Sequence, residues 1–109
     1  MLTLADIEAA RARIGARVRR TPLVEVEPAA FASAPARLWL KLEQTQHTGS
    51  FKVRGAFNRL LATRERGELP PSGVVAASGG NAGLAVAHAA RELGVPAEVF
   101  VPAAAPTIK

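Results

Sequence analysis

Two short runs carry the residues able to do chemistry, Ser50-Phe51-Lys52 and Ser78-Gly79-Gly80-Asn81. Ser50 is a favoured N-cap, so Lys52 is expected in the first turn of a helix. Free amides and the positive end of the helix dipole make that a poor place for an ammonium ion. A neutral, nucleophilic amine suits it better, and such an amine forms Schiff bases with carbonyl groups. A lone lysine is far more often a solvated surface residue, so the reading depends on its company. In the second run, glycines lead into another expected helix. Bare backbone amides can converge there on an anion such as an amino-acid carboxylate, with no Cβ to block the approach. A tight turn needing positive φ is the other use of such a pair.

These runs need elements to hold them. Thr3-Leu4-Ala5-Asp6 starts a helix of capping-box type. Leu4, Ile7, Ile14 and Val18 fall on one side and arginines on the other, with an end near Gly15. Thr21-Pro22 forces an extended segment. Glu27 to Arg37, rich in Ala, Pro and Ser, reads as a loop or short weak helix. Leu38 to Glu43 alternates as a strand, and Gln44 to Gly49 is a polar loop. A helix follows from Phe51 to about Arg66, burying Val53, Phe57, Leu60 and Leu61, with Gly67 at its C-cap. Pro70 to Gly73 is a turn, and Val74 to Ala77 a buried parallel strand. A helix from Asn81 to Leu93 ends at Gly94, and Ala97 to Val101 is a last strand. Pro102 to Lys109 reads as a tail without a partner. The alanines at 85, 87, 89 and 90 are expected to let the last helix approach the sheet closely. Strand, helix, strand, helix, strand from residue 38 predicts an α/β fold with a parallel sheet and crossover helices. Such sheets bind ligands beyond the C-terminal ends of their strands. If these strands are neighbours, both runs open on one rim.

Composition narrows the rest. At 109 residues the chain is one domain at most. Its hydrophobic share of 49% excludes disorder. The absence of cysteine removes disulfides and thiolate chemistry, and fits a reducing cytoplasm. No apolar run is long enough to span a membrane, and no membrane partner is expected. The net charge of +5 gathers at Arg11, Arg13, Arg17, Arg19 and Arg20. No nucleic-acid motif accompanies it, so a solvated helix face is expected rather than a nucleic-acid partner. His47 and His88 make no metal pair, and no metal site is expected. His88 reads as a helix-surface residue and Arg54 as a plain surface arginine.

The run His47-Thr48-Gly49-Ser50-Phe51-Lys52-Val53-Arg54-Gly55-Ala56 has company at family-like spacing. Arg20-Thr21-Pro22-Leu23 and Lys41-Leu42-Glu43 precede it, and Ser78-Gly79-Gly80-Asn81-Ala82-Gly83 follows. Together they resemble the pyridoxal-phosphate enzymes of the tryptophan-synthase-like fold, fold type II, and above all the serine/threonine dehydratases. The resemblance covers nearly the whole chain. It implies that Lys52 holds the aldehyde of pyridoxal 5'-phosphate and acts as general base at Cα. It also implies that Phe51 lies against the pyridine ring and that Asn81 bonds the cofactor's 3'-oxygen. Ser78, Gly79, Gly80 and Asn81 would line the substrate-carboxylate pocket. The implied reaction turns L-serine or L-threonine into a 2-oxo acid and ammonia.

Within that family, serine racemases carry a serine where Gly79 stands, as a second acid/base, so glycine disfavours racemisation. The cysteine-synthase branch has Ile before the lysine, unlike Phe51. Ala82 replaces the histidine of many threonine dehydratases, which leaves serine and threonine both open. The resemblance divides the chain at about residue 45. Residues 1–45 would join a large domain, and 46–109 would form an incomplete small α/β domain. The family's phosphate-binding glycine tetrad and pyridine-nitrogen partner are not found, so the chain reads as the N-terminal portion of a homo-oligomeric enzyme, inactive alone. The alternatives are a non-catalytic α/β fragment that keeps the signature, or a serine racemase.

Overall fold

In the computed structural model, which describes residues 1–27 and 37–105, Thr3 opens helix α1, Leu4–Ile14. The expected capping box is present. The Thr3 hydroxyl accepts from the Asp6 amide at 3.3 Å, and the Asp6 carboxylate accepts from the Thr3 amide at 2.8 Å. The apolar stripe is shorter than expected. Ile14 is buried and Val18 packs against the core, but Leu4 and Ile7 are exposed because the first half of α1 runs beyond the core. Arg13 ties the helix down, donating to Glu65 at 2.8 Å and to Asn58 at 2.7 Å.

After Pro22 the extended segment becomes strand β1, Leu23–Glu25, which pairs antiparallel with β2, Trp39–Lys41. Leu23 faces Lys41 and Glu25 faces Trp39. The expected loop or weak helix at Glu27–Arg37 lies, for residues 28–36, outside the described residues. Two 3-10 turns, Glu43–Thr45 and His47–Gly49, lead into helix α2, Lys52–Glu65. Gly67 takes φ +69 beyond its end, and the Glu68 amide reaches back to the Thr63 carbonyl at 3.0 Å.

Strand β3, Val74–Ala77, helix α3, Asn81–Leu93, and strand β4, Ala97–Phe100, complete the chain. β3 and β4 are parallel, with Val74 opposite Ala97 and Ala77 opposite Phe100. The fold is therefore α/β with a parallel pair joined by a crossover helix. One expectation is corrected. β2 does not join β3; it belongs to a separate two-stranded sheet because its hydrogen bonds go to β1. The core lies between helices. Val53, Phe57 and Leu60 of α2 meet Ala85, Ala89, Ala90 and Leu93 of α3 in one cluster. The small α3 residues thus serve helix-to-helix approach, whereas Ala87 is exposed. Burial of Phe57, 1% exposed, stabilises by about 1.5–3 kcal/mol.

Candidate active site

Lys52 begins α2. Ser50 before it is extended (φ −154, ψ 164) and buried, and its hydroxyl accepts from the Lys52 amide at 3.4 Å. The cap differs from the expected one: Phe51 stands at the N-cap of α2 and makes no side-chain cap bond, and Ser50, one residue earlier, contributes only this long contact. The Lys52 Nζ sits 5.1 Å from the centroid of the Phe51 ring, and Phe51 is 59% exposed. A primary amine thus stands over an aromatic ring that keeps much of its surface open. No acidic residue lies in this first turn, and Lys52 has no ion-pair partner among the described residues.

The second run forms the turn from β3 into α3. The Ser78 amide donates to the Phe100 carbonyl at 3.0 Å, continuing the parallel pairing, and the Ser78 hydroxyl accepts from the Gly80 amide at 3.2 Å. Gly80 caps α3 in an extended conformation without a side-chain hydrogen bond. The first intrahelical bond runs from Leu84 to the Gly80 carbonyl. The amides of Asn81, Ala82 and Gly83 therefore have no acceptor among the described residues, which is the physical basis of an anion cradle. Space beside the two glycines differs. A Cβ on Gly80 would meet nothing within 4 Å, whereas one on Gly79 would lie 2.9 Å from Ala105 Cβ and 3.1 Å from Pro102 Cδ. The tail from Pro102 thus has a partner after all, because its first turn folds over Gly79.

Which ends of the helices face each other follows from two contacts. The Phe57 ring of α2 meets the His88 ring of α3 at 5.9 Å, and the Arg64 guanidinium of α2 donates to the Leu93 carbonyl of α3 at 2.7 Å. Residue numbers rise together along both helices, so α2 and α3 run in the same direction. Counting back at 1.5 Å per residue puts the N-termini at one end, offset by less than about one turn. Lys52 and Asn81 start the helices at that shared end. The shared end comes from neighbouring parallel helices, not from the neighbouring strands that the sequence suggests.

Behind Lys52, the three motifs that precede and surround it meet in one polar cluster. Arg54 grips Glu43 with two bonds, Nε at 2.9 Å and Nη2 at 2.8 Å. Thr21 donates its hydroxyl to the same carboxylate, and Lys41 donates to the Thr21 carbonyl at 3.0 Å. Arg54 is therefore not a plain surface arginine. Gln46, 2% exposed, accepts from the Arg19 amide and donates to the Arg19 carbonyl, both at 2.9 Å. The Glu43 carboxyl is held at about 2, down from its ordinary 4.5. Hydrogen bonds from Arg54 are the main cause; burial opposes them, and Thr21 and the charges of Arg54 and Lys41 assist. A depressed carboxyl stabilises the fold fully above its unfolded value and stops doing so as pH falls through its folded value. Stability should accordingly drop between about pH 4.5 and pH 2. The loss should be on the order of 1–2 kcal/mol, since Arg54 is 29% exposed and solvent screens the pair. Denaturant unfolding across that range checks this, and Glu43→Gln should flatten the curve there.

The histidines also differ from expectation. His88 is half-buried rather than a helix-surface residue, stacked on His47 at 5.1 Å and edge-on to Phe57. Burial, then the charge of His47, holds its imidazole below the ordinary value. Among the described residues no group of three or more His, Cys, Asp or Glu side chains is arranged to hold a metal, and no helix is long and apolar enough to cross a membrane. The signal for the stack was present only as two distant histidines, which sequence spacing does not connect.

An amine over an open aromatic ring, at the same end as unpaired helix amides, fits a planar aldehyde cofactor with an anionic substrate beside it. Known proteins give the family. Residues 14–109 match the family described as pyridoxal-phosphate dependent enzyme. The whole chain is 39% identical to the catabolic L-threonine dehydratase TdcB of Staphylococcus aureus (strain USA300), over 31% of that protein. Among solved structures, a pyridoxal 5'-phosphate-dependent aspartate racemase matches with a TM-score of 0.87 and 39% identity, over 99% of this chain and 33% of that one. A threonine deaminase from T.th. matches with a TM-score of 0.74 and 42% identity, over 94% of this chain and 35% of that one. The chain spans about a third of the length of each of these relatives. The match over most of its residues makes the chain a member of the pyridoxal-phosphate dependent enzyme family.

Proposed function

We propose that this chain carries the lysine and the carboxylate loop of a serine/threonine dehydratase. The observation that carries the proposal is the shared end of α2 and α3, with Lys52 at one N-terminus and unpaired amides at the other. Pyridoxal phosphate, when bound, supplies an electron sink for the Cα carbanion. Lys52 would hold its aldehyde, the exposed Phe51 ring would lie against its plane, and Asn81 would bond its 3'-oxygen. The turn Ser78-Gly79-Gly80-Asn81, through the Ser78 hydroxyl and the unpaired amides that begin at Asn81, would bind the substrate carboxylate and fix Cα within reach of Lys52. The Lys52 amine would then take the Cα proton as general base. Loss of the β-hydroxyl as water would leave an enamine, and addition of one water to its imine form would release the 2-oxo acid and ammonia.

Racemisation is the second reading, favoured by the likeness to aspartate and serine racemases. Gly79 speaks against it. Glycine offers no proton to exchange, and the space of a side chain there is taken by Ala105 and Pro102. A non-catalytic fragment that keeps the signature is the reading without an activity. No four-glycine phosphate cradle occurs in these residues, so turnover is assigned to a protein that also supplies one, a cytoplasmic homo-oligomer on the family pattern. Incubating the protein as its gene encodes it with L-serine or L-threonine and pyridoxal phosphate should yield 2-oxo acid and ammonia in equal amounts. Accumulation of the D-amino acid without ammonia would overturn the proposal.

A further inference from the structure

We propose that Glu43 and Arg54 are positioning residues for the amine of Lys52, a proposal that rests on reading Lys52 as the cofactor lysine. The first turn of any helix is its weakest, because its amides lack intrahelical acceptors and it frays first. The first turn of α2 is weaker still. Its N-cap residue, Phe51, makes no side-chain bond, it holds no acidic residue to meet the dipole, and Thr48 just before it sits at φ +61, a strained value for a β-branched residue. Yet this turn carries the reactive amine.

What holds it is the Arg54 side chain, which projects from the same turn. Its fork engages both oxygens of Glu43, and Nη2 also reaches the Arg19 carbonyl at 3.2 Å and the Thr21 hydroxyl at 3.3 Å. The receiving side is itself fixed. Thr21 is 5% exposed, and Gln46 locks the Arg19 backbone from both its amide and its carbonyl. Val53 and Phe57 hold the opposite face of α2 in the core. The turn is thus clamped from two sides, and only the clamp at Arg54 depends on a bidentate, planar geometry that lysine does not reproduce. A displacement of about 1 Å at a reacting group costs up to about a hundredfold in rate, so the clamp should be read in how fast Lys52 reacts.

The test uses the protein as its gene encodes it, below the melting temperature of each variant, with rates taken per folded molecule by circular dichroism. Pyridoxal phosphate is added, the absorbance of amine-linked cofactor is followed, and borohydride reduction with peptide mapping locates the labelled lysine. In Glu43→Gln and Arg54→Lys, capture at Lys52 should slow roughly tenfold or more. Leu60→Ala, a core cavity far from the clamp, should lower the melting temperature and leave capture per folded molecule unchanged. Should Glu43→Gln fail to fold, Arg54→Lys decides. Unchanged capture in the folded clamp variants, with wild-type label at Lys52, would overturn this proposal alone. Absence of label at Lys52 in the wild type would instead overturn the cofactor-lysine reading, and this proposal with it.

Discussion

Lys52→Ala is expected to abolish borohydride-fixable pyridoxal phosphate and to lower 2-oxo acid formation by roughly a thousandfold or more. On the proposed reading two roles would vanish with one amine, the covalent hold on the aldehyde and the base that takes the Cα proton. The loss should be chemical rather than structural. Lys52 is exposed, has no ion-pair partner among the described residues, and stands over the Phe51 ring. Alanine is also a better helix former than lysine, so the melting temperature should hold or rise slightly. Lys52→Arg keeps a long nitrogen-bearing side chain beside Phe51 but forms no Schiff base, and it should be as inactive as the alanine variant. Ammonia release and electrospray mass after reduction are the measurements. Appreciable turnover in both variants, with cofactor still trapped on the chain, would move the reactive amine to another lysine and end the assignment.

Much of this site was legible in the sequence, for reasons that differ from residue to residue. Ser50, Lys52 and the glycine pair sit at helix starts, where capping chemistry is local and short spacing is informative. The helix ends at Gly67 and Gly94 were readable because both positions require positive φ. Partners far apart in sequence were not readable. Leu23-Val24-Glu25 looks extended, but nothing local says that its neighbour is Trp39–Lys41 rather than β3. Arg54 looked like a surface charge because its partner Glu43 lies across a loop. In the structure Thr21, Glu43 and Arg54 form one hydrogen-bonded cluster. His88 was misjudged for the same reason, since its stacking partner comes from a different turn. Local rules reach the groups proposed to react; the groups packed around them come from long-range contacts.

Gly83→Ala is expected to destabilise the protein and loosen carboxylate binding, while Gly55→Ala should stabilise it. Both glycines are inside helices, where alanine is intrinsically better by about 1 kcal/mol. At Gly55 nothing lies within 4 Å of an added Cβ, so the full gain should appear, chiefly through a less flexible unfolded chain. At Gly83 the added Cβ would collide with the Ser78 carbonyl oxygen and sit 3.1 Å from Val99 Cγ1. One obstacle is backbone and the other a packed strand residue, so α3 must move outward. Overpacking of this kind costs about 1–3 kcal/mol, which outweighs the propensity gain. The net loss, up to about 2 kcal/mol, should lower the melting temperature by a few degrees. The same shift carries the Asn81–Gly83 amides away from the Ser78 turn, so the KM for the amino acid should rise about tenfold with a smaller change in kcat. Calorimetry and steady-state kinetics on the two variants side by side give opposite signs if α3 rests against Ser78. A Gly83→Ala protein that melts at or above the wild type, with KM unchanged, would mean that the glycine is not there for close approach and that the carboxylate loop is held by something other than this contact.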